Sequence, residues 1–475
     1  MIGVSQFDSL RTPWDTVRMF LSALDMLVPT HQTSGLWRHP EAQHAQYSDL
    51  HFWKKHAVML EEAGFDTMFF ADVSGLYDVY EGTGTTAIRA GMQYPALDPL
   101  LLISALAAET STIGFGVTAN VSYLPPYLLA RTFATLDHLT NGRIGWNIVT
   151  GYQRSALRNL GGEDMLPHDQ RYDRADEYME VVYGLWEASV EPDAIVGDVT
   201  SNTYIDPKKV HPIDHSGDWF TVPGPALVTP GPQRTPLLFQ AGSSPRGIEF
   251  AVKHAEALFF SGTSPENVRQ LVDRVEQQMQ AAGRSRASAR LITSVTVIAA
   301  ATDEAAYDRF RDYSQYVDQD AALALFAGWT GLDLSQFKPT DVLQDVHIEG
   351  NRSALQSFTS MDPDRQWTIA DLASYMSIGA RGPVIVGSGK TVVDELERWV
   401  REAGVDGFNI DYALRGPDMA AFAQFVTPEL RARGHLGAAL QDEAHSQTLR
   451  GRIFGTDWLP QDSTGGAYRG SKRSL

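Results

Sequence analysis

Eight short, β-rich runs, each followed by a segment with helical periodicity, recur along the chain and limit the folds that it can adopt. They are Met19–Leu27, Thr67–Asp72, Ile113–Thr118, Ile144–Thr150, Leu237–Gly242, Ala257–Gly262, Leu291–Ala300 and Gly407–Ala413. Strands that alternate with helices form a parallel sheet, and eight of them close naturally into a barrel. An open doubly wound sheet usually has a Gly-x-Gly-x-x-Gly turn after its first strand, and none follows Met19–Leu27. The pattern predicts an α/β protein with a (β/α)8 TIM barrel.

The spacing of the runs predicts where the barrel carries additional structure. Two gaps, at about 151–236 and 301–406, are longer than one crossover helix requires. We expect insertions there, at the C-terminal face, where they would shape a binding pocket. The prediction is a single barrel domain over residues 1–436. Residues 437–475 end in a polar, glycine-rich stretch, which indicates a frayed end or an arm that orders against a partner subunit.

Composition excludes several classes of function. The formal net charge of −19 disfavours binding to nucleic acid or to an anionic membrane surface. No run approaches the roughly 18 apolar residues of a membrane helix, so we expect a soluble, cytoplasmic protein. The chain has no cysteine, which excludes disulfides, thiolate metal sites and cysteine nucleophiles. Neither a His-Glu-x-x-His nor a Gly-x-Ser-x-Gly motif occurs, and we expect no metal site.

The working residues of a TIM barrel lie at the C-terminal ends of its strands, which gives a first set of candidates. These are Asp72, Thr118, Asn147, Thr150, Ser243 and Asn409, with His31 just after the first strand. Taken alone, Asn147 is either a ligand-facing residue or a hydrogen-bonded core amide. Tyr172 and His168 precede or begin a helix, and taken alone the pattern favours a core aromatic for Tyr172 and a capping or surface residue for His168.

The segment after the fifth run is a candidate phosphate site. Gln240 to Gly247, QAGSSPRG, combines small residues, two hydroxyls and an arginine at the start of a helix. Free backbone N–H groups at a helix N-terminus can bind phosphate, although an ordinary capped turn has the same composition. Oxygen chemistry without metals or thiols generally needs an organic cofactor, and a phosphate site at a barrel mouth is compatible with FMN.

Taken together, the motifs resemble those of the bacterial-luciferase-like flavin monooxygenases, from about Ala23 to Leu436. The similar branch contains nitrilotriacetate, dibenzothiophene-sulfone, dimethyl sulfide and long-chain alkane monooxygenases. The matching segments are GLWRHP (35–40), GFDTMFFAD (64–72), YLPPYLLARTFATLDHLTNGRIGWNIVTG (123–151), HDQRYDRADEYMEVVYGLWE (168–187), DPKKVHPIDHSG (206–217), PQRTPLLFQAGSSPRG (232–247) and VDGFNI (405–410). Each fragment is common, but their number and order make the resemblance specific.

The resemblance implies a two-component system. A separate NAD(P)H-dependent FMN reductase would supply FMNH2, which would react with O2 to a C4a-(hydro)peroxyflavin and oxygenate a small organic substrate. It also implies a homodimer or homotetramer. Two alternatives stay open: a deazaflavin-dependent oxidoreductase of the same superfamily, and a non-catalytic flavin-binding protein.

The resemblance also assigns roles to residues. The isoalloxazine side would be contacted by Asp72, Thr118 and Asn147 or Thr150, with Tyr152 in the next loop, where the alkane branch has histidine. The ribityl phosphate would be bound by His168, Tyr172, Ser243 and Ser244. The catalytic candidates on the substrate side are His31, Tyr77 and Gln93, with His31 as a proton donor or hydrogen-bond partner.

The substrate assignment depends on departures from the alkane branch. That branch has a cysteine at the position of Val28 and a histidine near Leu325. We therefore expect an organosulfur substrate such as a dialkyl sulfide, with an alkane or an amine as alternatives.

Overall fold

Eight parallel strands form a closed barrel in the computed structural model, which describes residues 18–162, 165–242, 244–344, 348, 350–362, 365–436 and 448–470. The strands of the chain are β1 Phe20–Asp25, β2 Thr67–Phe70, β3 Gly114–Asn120, β4 Ile144–Val149, β5 Ile195–Asp198, β6 Thr203–Ile205, β7 His215–Ser216, β8 Thr221–Val222, β9 Leu237–Gln240, β10 Ala257–Phe260, β11 Arg290–Ala300, β12 Val384–Ser388 and β13 Gly407–Asp411. The ring runs β1-β2-β3-β4-β9-β10-β11-β13 and closes through pairing of β13 with β1. Each predicted run overlaps one of these eight strands, and the predicted TIM barrel is confirmed.

The remaining strands lie outside the ring. β12 pairs in parallel with the C-terminal half of β11, from Thr296 to Ala300, and the sequence pattern did not predict it. β5 and β6 form one antiparallel pair, and β7 and β8 form another. Both pairs belong to the segment between β4 and β9.

The helices are α1 Leu50–Ala63, α2 Thr85–Ala90, α3 Ile103–Ala107, α4 Pro126–Leu139, α5 Arg154–Asn159, α6 His168–Tyr183, α7 Pro245–His254, α8 Pro265–Ala281, α9 Asp303–Ser314, α10 Gln319–Thr330, α11 Arg352–Gln356, α12 Ile369–Met376, α13 Gly389–Ala403, α14 Pro417–Ala421, α15 Thr427–Ala432 and α16 Leu449–Phe454. Their ends follow local chemistry. The side chain of Asp49 accepts a hydrogen bond from the backbone of His51 at the start of α1, and Gly64 ends α1 at φ 87°. Among the described residues, no helix is long and apolar enough to cross a bilayer.

The barrel interior is filled by apolar side chains at its N-terminal end. These side chains are Phe20, Leu24, Phe69, Leu237, Phe239, Ala257, Phe259 and Ile292. The rings of Phe69 and Phe259 lie 4.5 Å apart between centroids in an edge-to-face arrangement. The strands therefore meet at a packed core and not at an open pore.

Residues 448–470 pack against this end of the barrel. Leu449 and Ile453 of α16 join the interior cluster, and the backbone of Leu449 donates a hydrogen bond to the carbonyl of Gly142. Arg450 is fully buried and ion-paired with Glu256 at 2.7 Å. The sequence indicated a frayed end or an arm against a partner subunit, but this part of the tail is ordered on its own barrel because it buries apolar surface there. Residues 437–447 and 471–475 lie outside the described part.

Candidate active site

A cavity of about 250 Å³ opens at the C-terminal end of the barrel, and seven of the nine predicted cofactor residues line it. They are Asp72, Thr118, Thr150, Tyr152, His168, Tyr172 and Ser244. An eighth, Asn147, donates a hydrogen bond from Nδ2 to Oγ1 of Thr118 at 2.9 Å. The ninth, Ser243, lies outside the described residues. The strand ends and the start of α7 thus converge on one site.

One end of this cavity is built around the N-terminus of α7. Ser244 caps the helix, and its Oγ accepts a hydrogen bond from the backbone N–H of Gly247 at 3.1 Å. A Cβ at Gly247 would lie 2.9 Å from both Ser244 Oγ and Tyr172 Oη, so these hydroxyls can approach only because the residue is glycine. His168 Nε2 lies 3.4 Å from Ser244 Oγ. Hydroxyls and free N–H groups at a helix N-terminus form an anion site.

We call the group of Ser244, Tyr172 and His168 at the N-terminus of α7 the α7 cradle. Burial is the main influence on the protonation of its side chains. Burial raises the pKa of Tyr172, which the hydroxyls of Thr150 and Ser244 partly offset. Burial also lowers the pKa of His168, against the raising effect of its hydrogen bond to Asp169. Tyr172 is therefore a neutral donor at neutral pH, and His168 is predominantly uncharged.

The arginine of the QAGSSPRG segment does not face the cavity. The guanidinium of Arg246 pairs with Asp176 at 2.6 Å and with Asp173 at 3.1 Å on α6. Three other arginines line the cavity, none of which the sequence interpretation identified: Arg171, Arg352 and Arg381. Arg171 lies within the HDQRYDRAD match and could have been found there, whereas the other two lie in the long segment between β11 and β13, where no strand register locates them.

The carboxyl group of Asp72, in the wall of this cavity, has an altered pKa. Burial, followed by repulsion from Asp98, raises its pKa to about 7. It therefore carries a proton for part of the time at neutral pH and can donate or accept a hydrogen bond toward a ligand.

A chain of hydrogen bonds connects the predicted substrate-side residues. Tyr77 Oη donates to Gln93 Oε1 at 3.0 Å and lies 2.8 Å from Tyr152 Oη. Gln93 Nε2 in turn donates to the backbone carbonyl of His31 at 3.2 Å. Burial raises the pKa of Tyr77 to about 12, so its phenol stays protonated.

A second cavity, of about 560 Å³, lies beyond Tyr77. Tyr152, Gln153 and Gly350 line both cavities, so the two adjoin. The wall of the second cavity also contains Gly328 and Thr330, at the end of α10. The arrangement provides a ligand site and a neighbouring compartment that share a tyrosine.

The side chain of His31 lies apart from both cavities. It lines a separate space of about 20 Å³ with Tyr412, and its Nδ1 lies 3.7 Å from Oδ1 of Asp411. The backbone of His31, and not its imidazole, therefore joins the Tyr77 and Gln93 chain. Buried side-chain atoms without a hydrogen-bond partner in the described residues include His31 Nδ1, Asp411 Oδ2, Asn147 Oδ1 and Asn409 Oδ1.

Known proteins resemble this chain in both sequence and structure. It is 46% identical over 440 residues to the dimethyl-sulfide monooxygenase of Hyphomicrobium sulfonivorans, covering 93% of this chain and 91% of that protein. It is 40% identical over 457 residues to the long-chain alkane monooxygenase of Geobacillus thermodenitrificans, covering 96% and 98%. The crystal structure of a riboflavin lyase with modified FMN and riboflavin is similar with a TM-score of 0.88 at 34% identity, over 95% and 99% of the two chains.

The sequence pattern of a family of oxidoreductases covers most of the barrel. It matches residues 32–407, which include seven of the eight barrel strands in part or whole and every described residue of the 250 Å³ cavity. Together with the two curated relatives, this match establishes that the chain belongs to the family of luciferase-like monooxygenases.

Proposed function

We propose that this protein is the oxygenating component of a two-component system, which uses FMNH2 and O2 to oxygenate a small organic substrate. The observation that carries the proposal is the convergence of Ser244, Tyr172 and His168 at the N-terminus of α7 with Asp72 and Thr118 at the strand ends, all in one cavity. The membership of the family supports flavin chemistry. The proposed partner is a separate NAD(P)H-dependent FMN reductase. We further propose that the protein forms a homodimer or homotetramer and that it is located in the cytoplasm.

The residues present fit FMN. The α7 cradle offers hydroxyl and backbone donors to a phosphate group, with Arg171 and Arg352 on the same cavity wall. At the strand ends, the buried Oδ1 of Asn147 has no hydrogen-bond partner in the described chain and can accept a hydrogen bond from a ring N–H. Asp72, Thr118 and Tyr152 supply further polar groups for the edge of a planar ring system.

The chemistry divides between cofactor and protein. Reduced FMN, when bound, supplies the two electrons that let one atom of O2 enter the substrate while the other leaves as water. The residues of this chain bind the cofactor, exclude water and control protons. Asp72 can exchange a proton near neutral pH, whereas the phenols of Tyr77 and Tyr152 stay protonated and hold substrate or oxygen by hydrogen bonds.

A dialkyl sulfide is the favoured type of substrate. The identity to a dimethyl-sulfide monooxygenase, 46%, exceeds the 40% to an alkane monooxygenase. Val28 and Leu325 are aliphatic and completely buried. Neither position therefore offers the thiol or imidazole that the alkane branch has there. This supports an organosulfur substrate over an alkane, with an amine as the remaining alternative.

Oxygen uptake tests the proposal. The purified protein is mixed with FMN, NAD(P)H, a purified FMN reductase and a panel of dialkyl sulfides, sulfones, alkanes and aminopolycarboxylates. We expect uptake that depends on both the protein and the substrate, with an oxygenated product by mass spectrometry. Turnover of a deazaflavin without oxygen uptake would replace this proposal by a hydride-transferring oxidoreductase. Tight FMN binding without any turnover would favour a flavin-storage protein.

A further inference from the structure

Arg381 is a cation in the 250 Å³ cavity that has no hydrogen bond to any residue that the structure describes. It follows α12, in the loop that leads to β12. Its Nη1 is buried, and the guanidinium carbon lies 5.5 Å from the centroid of the Trp329 ring. The other two arginines of the cavity are already engaged, because Arg171 donates to the carbonyl of Leu166 and Arg352 donates to that of Ile348.

The backbone around Arg381 is held in an uncommon conformation. Ala380 has φ 50° and Gly379 has φ 77°, both in the left-handed region that residues with a side chain rarely adopt. The N–H of Gly379 donates to Oγ1 of Thr33 at 3.3 Å, and the N–H of Gly382 donates to the carbonyl of Gly379 at 3.1 Å. Such backbone persists where the surrounding structure fixes it, and it clusters at ligand sites. The loop therefore presents Arg381 in a preset position.

The positive charge of Arg381 is not neutralised by the protein. Burial lowers its pKa to about 10, which leaves it protonated at neutral pH, and the titratable group that acts on it is the neutral phenol of Tyr152. Arg381 is partly buried, and its buried Nη1 has no hydrogen-bond partner in the described chain, which is costly. A ligand that carries an anion would reduce that cost. The overall charge of −19 repels anions, so an anion can be held only where cations are local.

The surroundings of Arg381 distinguish it from the phosphate cradle. Charge interactions connect Arg352 with His168 and Asp169 beside α7, whereas Arg381 interacts with Tyr152. Tyr152 lines both cavities, and Trp329 stands between Gly328 and Thr330, which line the second cavity. Arg381 thus lies in the 250 Å³ cavity on the side that adjoins the 560 Å³ cavity, and we take the second cavity as the substrate compartment.

We propose that Arg381 binds a carboxylate or sulfonate of the substrate, so that the preferred substrate is an anionic thioether and not a neutral dialkyl sulfide. This inference rests on the proposed function. A planar guanidinium with two free N–H groups matches the two oxygens of such an anion. The oxidisable sulfur would then lie toward Tyr77 and Tyr152, a few ångströms from the charged end.

Two probes that share the thioether and differ at the carboxyl end test the inference: 3-(methylsulfanyl)propanoate, which is anionic, and its neutral methyl ester. Binding of each to the flavin-free and FMN-loaded protein is measured by calorimetry, and KM and kcat are measured with the FMN reductase present. We expect Arg381→Met to weaken binding of the carboxylate and raise its KM about 10- to 100-fold. The ester, kcat and the affinity for FMNH2 should be nearly unchanged, and Arg381→Lys should restore part of the loss.

Arg365→Met is a matched control. Arg365 lies in the same inserted segment and also stacks on a tryptophan, with its guanidinium carbon 3.5 Å from the centroid of the Trp367 ring, but it lines neither cavity. Its substitution should leave both probes unaffected. Thermal unfolding of all three variants separates a loss of binding from a loss of folding.

The outcomes separate this inference from the proposed function. Equal turnover of both probes by the unaltered protein and by Arg381→Met would overturn the anion site while leaving the monooxygenase intact. If Arg381→Met binds FMNH2 more weakly and both probes are affected alike, Arg381 contacts the reduced flavin. That result would also overturn the anion site for the substrate. Carboxylate binding that depends on Arg381, without oxygenation of either probe, would support the site and count against the proposed reaction.

Discussion

Two arginines at opposite ends of the barrel differ in their hydrogen bonding: Arg450 is fully buried, and Arg381 is partly buried. The guanidinium of Arg450, at the N-terminal end, makes six hydrogen bonds: two to the carboxylate of Glu256 and four to backbone carbonyls. Arg381, at the C-terminal end, makes none within the described chain. The protein itself satisfies the guanidinium of Arg450, whereas the guanidinium of Arg381 keeps N–H groups that a ligand can use.

The same difference extends through the barrel interior. At the N-terminal end, Phe69, Phe239 and Phe259 pack ring against ring. At the C-terminal end, Asn147 and Asn409 each keep a buried amide oxygen without a partner in the described residues. Buried polar atoms without partners are costly, and at the C-terminal end of a TIM barrel a bound ligand can supply the hydrogen bonds that these two amide oxygens lack.

The largest expected effect separates the two arginines by stability. Arg450→Met leaves Glu256 buried and unpaired, and we expect it to lower the free energy of unfolding by about 3–5 kcal/mol. Arg381→Met removes a charge that has no protein partner, and it should change that free energy by less than about 1 kcal/mol. Guanidinium chloride titrations of the flavin-free protein measure both. Equal losses in the free energy of unfolding would mean that the protein does not stabilise Arg450 more than Arg381.

The next effect concerns the cradle at α7. Ser244→Ala combined with Tyr172→Phe removes two hydroxyls from the proposed phosphate site and should weaken FMNH2 binding by about 1–3 kcal/mol. Ser264→Ala is the control, because Ser264 caps α8 in the same way but lines neither cavity. Anaerobic fluorescence titration measures the affinity. Unchanged affinity in the double variant would refute the phosphate assignment, and an equal loss in the control would attribute the effect to helix capping.

A smaller effect concerns Asp72, at the C-terminal end, and the pH dependence of the free energy of unfolding. Burial, followed by repulsion from Asp98, raises the pKa of Asp72 from its ordinary value of 3.8 to about 7, so the folded state binds more protons between these values. The stability from Asp72 is therefore fully present below about pH 4 and is lost as the pH rises to 7. Asp72→Asn should remove this dependence and stabilise the protein at pH 8 by about 1–2 kcal/mol, a value reduced for solvent screening. Unfolding at pH 4, 6 and 8 measures it, and parallel curves for the two proteins would contradict the raised pKa.

The sequence predicts much of this site because the topology of a TIM barrel determines where the ends of its strands lie. Parallel strands place their C-terminal ends at one face, so the sequence alone predicts that Asp72, Thr118 and Thr150 converge. The N-cap at Ser244 likewise depends on neighbouring residues alone. Arg246 shows the limit of such reasoning, because α6 supplies two carboxylates that turn its long side chain away from the loop.

Features set by long-range packing could not be predicted. β12 and Arg381 lie in an inserted segment, where no strand register fixes the position of a side chain. The tail is polar and glycine-rich in composition, yet Leu449 and Arg450 within it close the barrel, because the strand ends leave a complementary space. These are the places where tertiary contacts override local pattern.

The smallest expected effect on cofactor binding concerns His31, which lies at the C-terminal end but lines neither the 250 Å³ nor the 560 Å³ cavity. His31→Ala should change the affinity for FMNH2 by less than about 0.5 kcal/mol, because it removes no group from the cavity wall. Product formed per O2 consumed should fall, with hydrogen peroxide as the difference, since His31 remains the predicted proton donor. Asp411→Asn should have the same effect if the 3.7 Å approach of the two side chains orients the imidazole. If the coupling of O2 consumption to product is unaltered in both variants, His31 and Asp411 have no role in the reaction. If both variants instead lose affinity for FMNH2, the two residues belong to the cofactor site.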